Sequence, residues 1–344
     1  MNIQRIAAIS VLVTVIITAL YLGQSLIIPF VLAVLIWFII REIRQLLRRI
    51  PLFRMLFPNW AENLIASLLL FTALGVIITI VLANIQLLSL KLPTYEQNIG
   101  LVMYEIDETF HINILEKMQG IGANLNLSTL LSVTLNAISS ILGNIFIVLI
   151  YILFILIEES GFSSKLNAMY PNAHVRKNTL KILSKIDQSV GRYLLLKTGV
   201  SLLTGVLSFI VLLLFRIDAP FFWAFLIFVL NYIPTIGSLI ATLFPALFAL
   251  LQFSDWVPAV WILFIVGFIQ VIIGNLVEPK VMGNSLNISS LVVILALSFW
   301  GAIWGVTGML LSVPITVIML ILFAEIPATR KIAIMLSEKG NLKK

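Results

Sequence analysis

Asn231-Tyr232-Ile233-Pro234-Thr235-Ile236-Gly237 interrupts the apolar stretch 219–252 near its centre. As one helix these 34 residues would run about 50 Å, well beyond a hydrocarbon core of ~30 Å. Pro234 has no backbone N–H to donate, and Gly237 permits a turn. Split there, each half has about 14 residues, or ~21 Å, and is too short to cross alone. The stretch is therefore either one long, kinked, tilted helix or a re-entrant hairpin that goes partway in and returns.

A second stretch, 291–323, poses the same choice. It carries Trp300-Gly301-Ala302-Ile303-Trp304-Gly305-Val306-Thr307-Gly308 near its centre and Pro314 further on. One ordinary span, 257–276, lies between the two stretches, so two hairpins would enter from opposite faces. Broken helices in corresponding positions point to a transporter's substrate site. Irregular backbone at membrane depth is tolerated only where protein buries it or where it lines a cavity. Hairpins are the favoured reading; the alternative is that Pro and Gly merely bend ordinary membrane helices.

The rest of the chain agrees with a membrane setting. Of its 344 residues, 61% are hydrophobic and 11% charged, and the mean hydropathy is +1.12. A soluble domain carries roughly 25% charged residues. Composition thus excludes a water-soluble enzyme and a disordered regulator. The length alone would suit two domains, but the apolar runs suit one polytopic membrane domain over 1–344. They fall at about 6–22, 26–40, 63–88, 137–157, 198–215, 219–252, 257–276 and 291–323. The expected fold is an all-α integral membrane protein with about eight transmembrane segments, two of them broken. Arg5 precedes the first apolar run, but no small-x-small cleavage site with a polar region after it follows, so the run reads as a retained span.

Charge orients the spans. The net charge is +7, and the basic residues sit between apolar runs, which argues for the positive-inside rule and against nucleic acid. Arg41, Arg44, Arg48, Arg49 and Arg54 crowd 41–54, and the basic segment 158–197 holds Lys165, Arg176, Lys177, Lys181, Lys185, Arg192 and Lys197. The tail 324–344 ends in Lys339, Lys343 and Lys344. These three regions should be cytoplasmic, whereas segment 89–136, with Glu96, Glu105, Asp107, Glu108 and Glu116, should face outside. The N-terminal spans 1–88 and a C-terminal core, 198–323, complete the division.

Both long connections have helical period. Tyr95, Ile99, Val102, Ile106, Phe110 and Ile114 form one stripe; Leu180, Leu183, Ile186, Val190 and Leu194 form another. The second belongs either to a basic helix on anionic lipid or to a helix packed on its own bundle.

Ionisable residues within apolar helix are functional-site candidates. In Asn275-Leu276-Val277-Glu278-Pro279-Lys280-Val281-Met282-Gly283 an acid and a base lie beside such helix. Pro279 should push Glu278 towards extended geometry and end the helix. Helix-end carbonyls and the Glu278 carboxylate would then suit a cation or a solute hydroxyl; otherwise Glu278 and Lys280 form an interfacial anchor pair. Asn231 and Gln270 carry amides at depth, for a polar solute or for helix–helix contact. Thr235, Gly237, Gly301, Gly305 and Gly308 would let a solute approach backbone, or let helices pack. Gly199 and Gly205 suit close packing, and Arg216 and Asp218 a solvated pair at an outside turn.

Enzyme signatures are absent. There is no Cys, and His111 and His174 lie in separate connections, so a metal centre or other cofactor is not expected. The chain lacks His-Glu-x-x-His, Gly-x-Ser-x-Gly and a Walker A loop, so any transport would run on a gradient or by diffusion.

The run Asn231 to Gly237 with Pro245, the run Glu278-Pro279-Lys280-Val281-Met282-Gly283, and Trp300 to Pro314 resemble motifs of the autoinducer-2 exporter family of bacterial permeases. Ile28-Pro29-Phe30 and Ala33 look like the family's start. The resemblance covers nearly the whole chain and is most specific over 219–323. It implies about eight spans with cytoplasmic ends in a bacterial inner membrane, and a homo-oligomer, pentameric in the family. Some members are linked to export of the quorum-sensing signal autoinducer-2, others to sodium or lithium exchanged for protons. The partner is accordingly a small polar solute or a monovalent cation. An antiporter would use Glu278 as its titratable acid; an exporter would use Asn231, Thr235 and Gln270. A third reading, a membrane assembly protein docking through 158–197, involves no transport.

Overall fold

The computed structural model describes residues 3–110, 127–283 and 287–342. His111, Ile106, Phe110, Ile114 and the acidic charges of 105–116 fall outside the described side chains. Every regular element among the described residues is helical, with one isolated bridge between Ile288 and Ser337. The elements are α1 (Ile3–Leu22), α2 (Gln24–Leu47), α3 (Pro51–Leu56), α4 (Asn59–Leu90), α5 (Leu92–Phe110), α6 (Leu127–Met169) and α7 (Ala173–Leu214). They continue with α8 (Pro220–Leu230), α9 (Ile236–Phe253), α10 (Trp256–Ile272), a π-turn (Ile273–Val277), α11 (Glu278–Met282), α12 (Ser290–Glu325) and α13 (Arg330–Leu336).

Among the described residues, six helical segments are long and apolar enough to cross a membrane: Gln24–Leu47, Ala61–Leu90, Ala173–Leu214, Ile236–Phe253, Trp256–Met282 and Ser290–Glu325. The pair Ile145–Glu159 and Gly161–Met169, bent by 64°, makes a seventh if it is one span. The molecule is thus an all-α membrane protein. The basic segment 176–197 and the apolar run 198–215 are one helix, α7, with no surface loop between them.

The chain divides into two compact units. The first comprises Met1–Leu68, Gly143–Leu196 and Met282–Lys344. Leu35 and Phe38 of α2, Val190, Tyr193 and Leu194 of α7, and Trp300, Trp304, Leu311 and Val317 of α12 form its core. The C-terminal part of the apolar stripe of 176–197 is therefore spent on its own bundle, with Val190 0% and Leu194 3% exposed, whereas Leu180 at its start is exposed. Much of the arginine cluster is likewise engaged. Arg41 reaches Asp187 at 3.0 Å and Glu159 at 3.7 Å, and Arg44 reaches Glu159 at 3.4 Å. The Trp37 indole N–H donates to Glu159 at 2.9 Å, and Arg48 pairs with the buried Glu62. Ser289 N–H donates to the Leu336 carbonyl and Glu338 N–H to the Asn287 carbonyl, tying the C-terminal segment to the start of α12.

The second unit comprises Leu69–Leu142 and Lys197–Val281. Here α9 packs on α10, α8 and α5. Gly205 of α7 lies where a Cβ would press on the Ala224 carbonyl and Phe228, so its small size serves close helix packing. Asp218 does not pair with Arg216. It accepts from Lys91 at 2.5 Å and from the Tyr95 phenol at 2.7 Å, while its own N–H donates to Gln252 at 2.7 Å. Burial, then the neighbouring Asp218 carboxylate, push the Tyr95 phenol well above its ordinary pKa.

Candidate functional site

Both interrupted stretches fold back on themselves. In the second unit α8 has 11 residues and α9 has 18, so the two arms are unequal, not halves of about 14. The first is about 16 Å long and the second about 27 Å. Between them Tyr232 N–H donates to the Val229 carbonyl and Ile233 N–H to Leu230. Ile236 N–H then donates to the Pro234 carbonyl at 2.6 Å, across a Thr235 with φ +60° and ψ −57°. That is a classic γ-turn, rare and strained, on a β-branched residue. The return is tight: a Cβ on Gly237 would overlap the Leu230 carbonyl.

In the first unit α12 turns at Gly305, whose φ of +60° and ψ of −143° suit glycine alone. A Cβ on Gly308 would overlap the Trp300 carbonyl, and one on Gly301 would press on Met309. Residues eight apart in a straight helix lie about 12 Å apart along its axis, so α12 is a hairpin as well.

The two breaks have different surroundings. Beside the break of α12, Trp300, Ile303 and Trp304 are buried and the Trp304 indole donates to the Leu20 carbonyl at 3.0 Å, while the turn itself, Gly305-Val306, is exposed. Gly301, Gly305 and Gly308 thus sit in a packed hairpin of the first unit. The break after α8 borders a cavity of about 680 Å³ inside the second unit. Asn231, Pro234 and Thr235 line it from the break, Ser238 and Thr242 from α9, Gln270 from α10, and Asn275 and Glu278 from the π-turn and α11. Its remaining walls are largely apolar, among them Ile233, Leu239, Leu243 and Leu263. Six of the residues singled out in the sequence (Asn231, Pro234, Thr235, Gln270, Asn275 and Glu278) therefore meet on one cavity. Gly237 supports it from behind by packing. Pro279 and Lys280 are exposed beside it and do not line it.

Glu278 is helical, with φ −57° and ψ −49°, not extended. The π-turn explains this. Glu278 N–H donates to Ile273, five residues back, and the widened turn admits Pro279 without ending the helix. Gln270 and Glu278 thereby stand either side of a π-turn, a feature frequent at functional sites.

Glu278 pairs with Lys197, not with Lys280. Lys197 Nζ lies 2.5 Å from Glu278 Oε1, with the lysine side chain 5% exposed and the glutamate 23%. Lys197 was missed because it was grouped with the basic segment. A signal existed: Lys197, Ser201, Thr204 and Ser208 recur at helical spacing within an apolar run, and all are buried. Ser201 accepts from the Asn231 amide at 3.1 Å, and Thr198 shares a 2.6 Å hydrogen bond with Tyr232. Gln270 is 7% exposed, and its Nε2 has no protein partner. A buried donor left unpaired is costly, which sets this amide apart among the residues that line the cavity. Among the described residues no group of three or more His, Asp or Glu is gathered to hold a metal ion.

A largely apolar pocket with a few convergent polar groups is the usual form of a small-molecule site. Comparison with known proteins agrees with a role in transport. The family profile described as AI-2E family transporter matches residues 9–328. The AI-2 transport protein TqsA of Escherichia coli (strain K12) is 31% identical over 334 residues, covering 95% of this chain and 94% of that protein. A Borreliella burgdorferi protein is 31% identical over 254 residues, 74% of this chain and 70% of its own length. A Haemophilus influenzae protein is 28% identical over 353 residues, 100% of this chain and 99% of its own. The last two are only provisionally described as transport proteins. The profile and TqsA each span most of a chain that folds into long apolar helices and holds a cavity in its second unit: the protein belongs to the AI-2E transporter family and is a multi-pass membrane transporter, not an enzyme.

Proposed function

We propose that the protein is a secondary transporter that exports a small polar solute across a bacterial inner membrane, with both termini in the cytoplasm. The observation that carries this reading is the cavity of the second unit, where the unpartnered Gln270 amide, Asn231 and the Lys197–Glu278 pair meet beside a broken hairpin. The solute is held by amides and backbone groups of Asn231, Pro234, Thr235, Gln270 and Asn275, with Glu278 as the carboxylate of the site and Pro279 and Lys280 at its edge. Gly237 holds the first hairpin closed. Gly301, Gly305 and Gly308 form the turn of a second hairpin and serve its packing, not contact with the solute. Similarity to TqsA makes autoinducer-2 the first solute to try, and family resemblance makes a homo-oligomer, a pentamer, the first assembly to look for.

The test is flux in proteoliposomes. Wild type is compared with Asn231→Leu, Gln270→Leu and the double variant Lys197→Met/Glu278→Gln, which removes the ion pair without leaving a lone buried charge. Autoinducer-2 is offered first, then sodium or lithium with an internal pH dye. Autoinducer-2 flux lost in the Asn231 and Gln270 variants supports the exporter. A sodium- or lithium-driven pH change lost in the double variant would replace it with a cation/proton antiporter. Flux unchanged in every variant would remove the cavity from the pathway.

A further inference from the structure

The ion pair in the cavity carries a consequence for what the cavity admits. Lys197 is a buried lysine whose ammonium sits directly on the Glu278 carboxylate, at 2.5 Å. A carboxylate lining a cavity of this size would otherwise be the natural seat for an alkali cation, since such ions take oxygen ligands and Asn231, Thr235 and Asn275, which carry side-chain oxygens, line the same cavity. An ammonium on a tether is a cation held at very high local concentration, because its attachment to α7 removes the entropic cost of bringing it in. We propose that Lys197 is a built-in counter-ion: it occupies the cation position on Glu278, keeps the cavity electroneutral, and so restricts it to uncharged solutes while excluding sodium and lithium. This deepens the exporter reading and rests on it only for the claim that solutes enter the cavity.

The geometry has a direct corollary. Removing the lysine head while keeping its apolar stem, as in Lys197→Met, leaves a buried carboxylate without its partner. An alkali cation should then bind where the ammonium was. Lys197→Arg retains a tethered cation and should behave as wild type towards sodium. Lys197→Met/Glu278→Gln removes both charges and should leave nothing for a cation to bind.

The experiment is thermal unfolding of the purified full chain, followed by tryptophan fluorescence, in sodium, lithium or choline chloride at equal ionic strength. Ligand that binds only the folded state raises its melting temperature. Wild type, Lys197→Arg and the double variant are expected to differ by no more than about 1 °C between sodium and choline, whereas Lys197→Met gains at least about 5 °C in sodium or lithium. A wild type that sodium stabilises as strongly overturns the proposal, because a cation site then coexists with Lys197. So does a Lys197→Met protein that sodium and lithium protect no better than choline does, including one that cannot be recovered folded in any of the three salts. The readout is cation binding, not flux, so a failed exporter reading would appear in the flux variants and leave this result intact.

Discussion

The hairpin of the second unit and that of the first are built alike and used differently. Each has a shorter first arm, a turn that standard helix geometry cannot supply, and a glycine pressed against the carbonyl of the arm before it (Gly237 on Leu230, Gly308 on Trp300). In the first unit, buried tryptophans and aliphatic side chains pack the arms beside an exposed turn. In the second, neighbouring helices bring Lys197, Ser201, Gln270 and Glu278 to it, and a cavity remains. A broken helix is therefore not in itself a site. A cavity with polar groups arises where the elements packed beside the break are polar.

The comparison breaks most easily at the ion pair. Lys197→Met leaves Glu278 without its partner and should cost towards the low end of ~3–5 kcal/mol, because Glu278 keeps some contact with solvent. Adding Glu278→Gln should recover most of that loss in thermal unfolding without alkali cations. Recovery of none of it would mean that the pair is not coupled. No equivalent pair lines the turn of α12 among the described residues, so this sensitivity should belong to one hairpin only.

The glycines sharpen the likeness. Gly305→Ala places a Cβ in a backbone region that costs about 1–3 kcal/mol and should lower the melting temperature accordingly. Gly237→Ala and Gly308→Ala each meet a backbone carbonyl that cannot rotate away, so both should reduce the yield of monodisperse protein on size exclusion. Only one of them proving harmless would show that the two turns are not equivalent.

Two smaller effects separate solute contact from packing. Gln270→Leu removes a buried amide without a protein partner and should raise stability by about 1 kcal/mol while lowering solute flux several-fold. Lower stability together with normal flux would make Gln270 a structural residue. Trp304→Phe deletes one hydrogen bond in the packed hairpin and should cost about 0.5–1.5 kcal/mol with flux unchanged.

Much of the fold is legible in the chain because membrane helices must satisfy their own backbone and bury apolar length. The apolar runs correspond to helices, the two interruptions correspond to hairpins, and six polar or turn residues named from their setting meet on one cavity. Other features were not legible. The basic stretch 176–197 has the pattern of a surface helix, yet the C-terminal end of its stripe is buried, because amphipathicity states that a face needs cover and not what covers it. Pro279 reads as a helix end, but the π-turn before it absorbs the proline, and no local preference predicts a π-turn.

The class of the molecule, the places where its helices break and the polar residues that apolar surroundings make conspicuous are all written in the chain. Those follow from composition, period and the chemistry of Pro and Gly, which act over a few residues. Only the tertiary structure decided that Glu278 is matched to Lys197 across 81 positions of chain, that Gly308 serves packing where Asn231 faces a cavity, and that the Gln270 amide is left without a protein partner. Pairing, burial and vacancy are properties of neighbours in space, and helices that pack side by side bring together residues whose separation along the chain carries no trace of it.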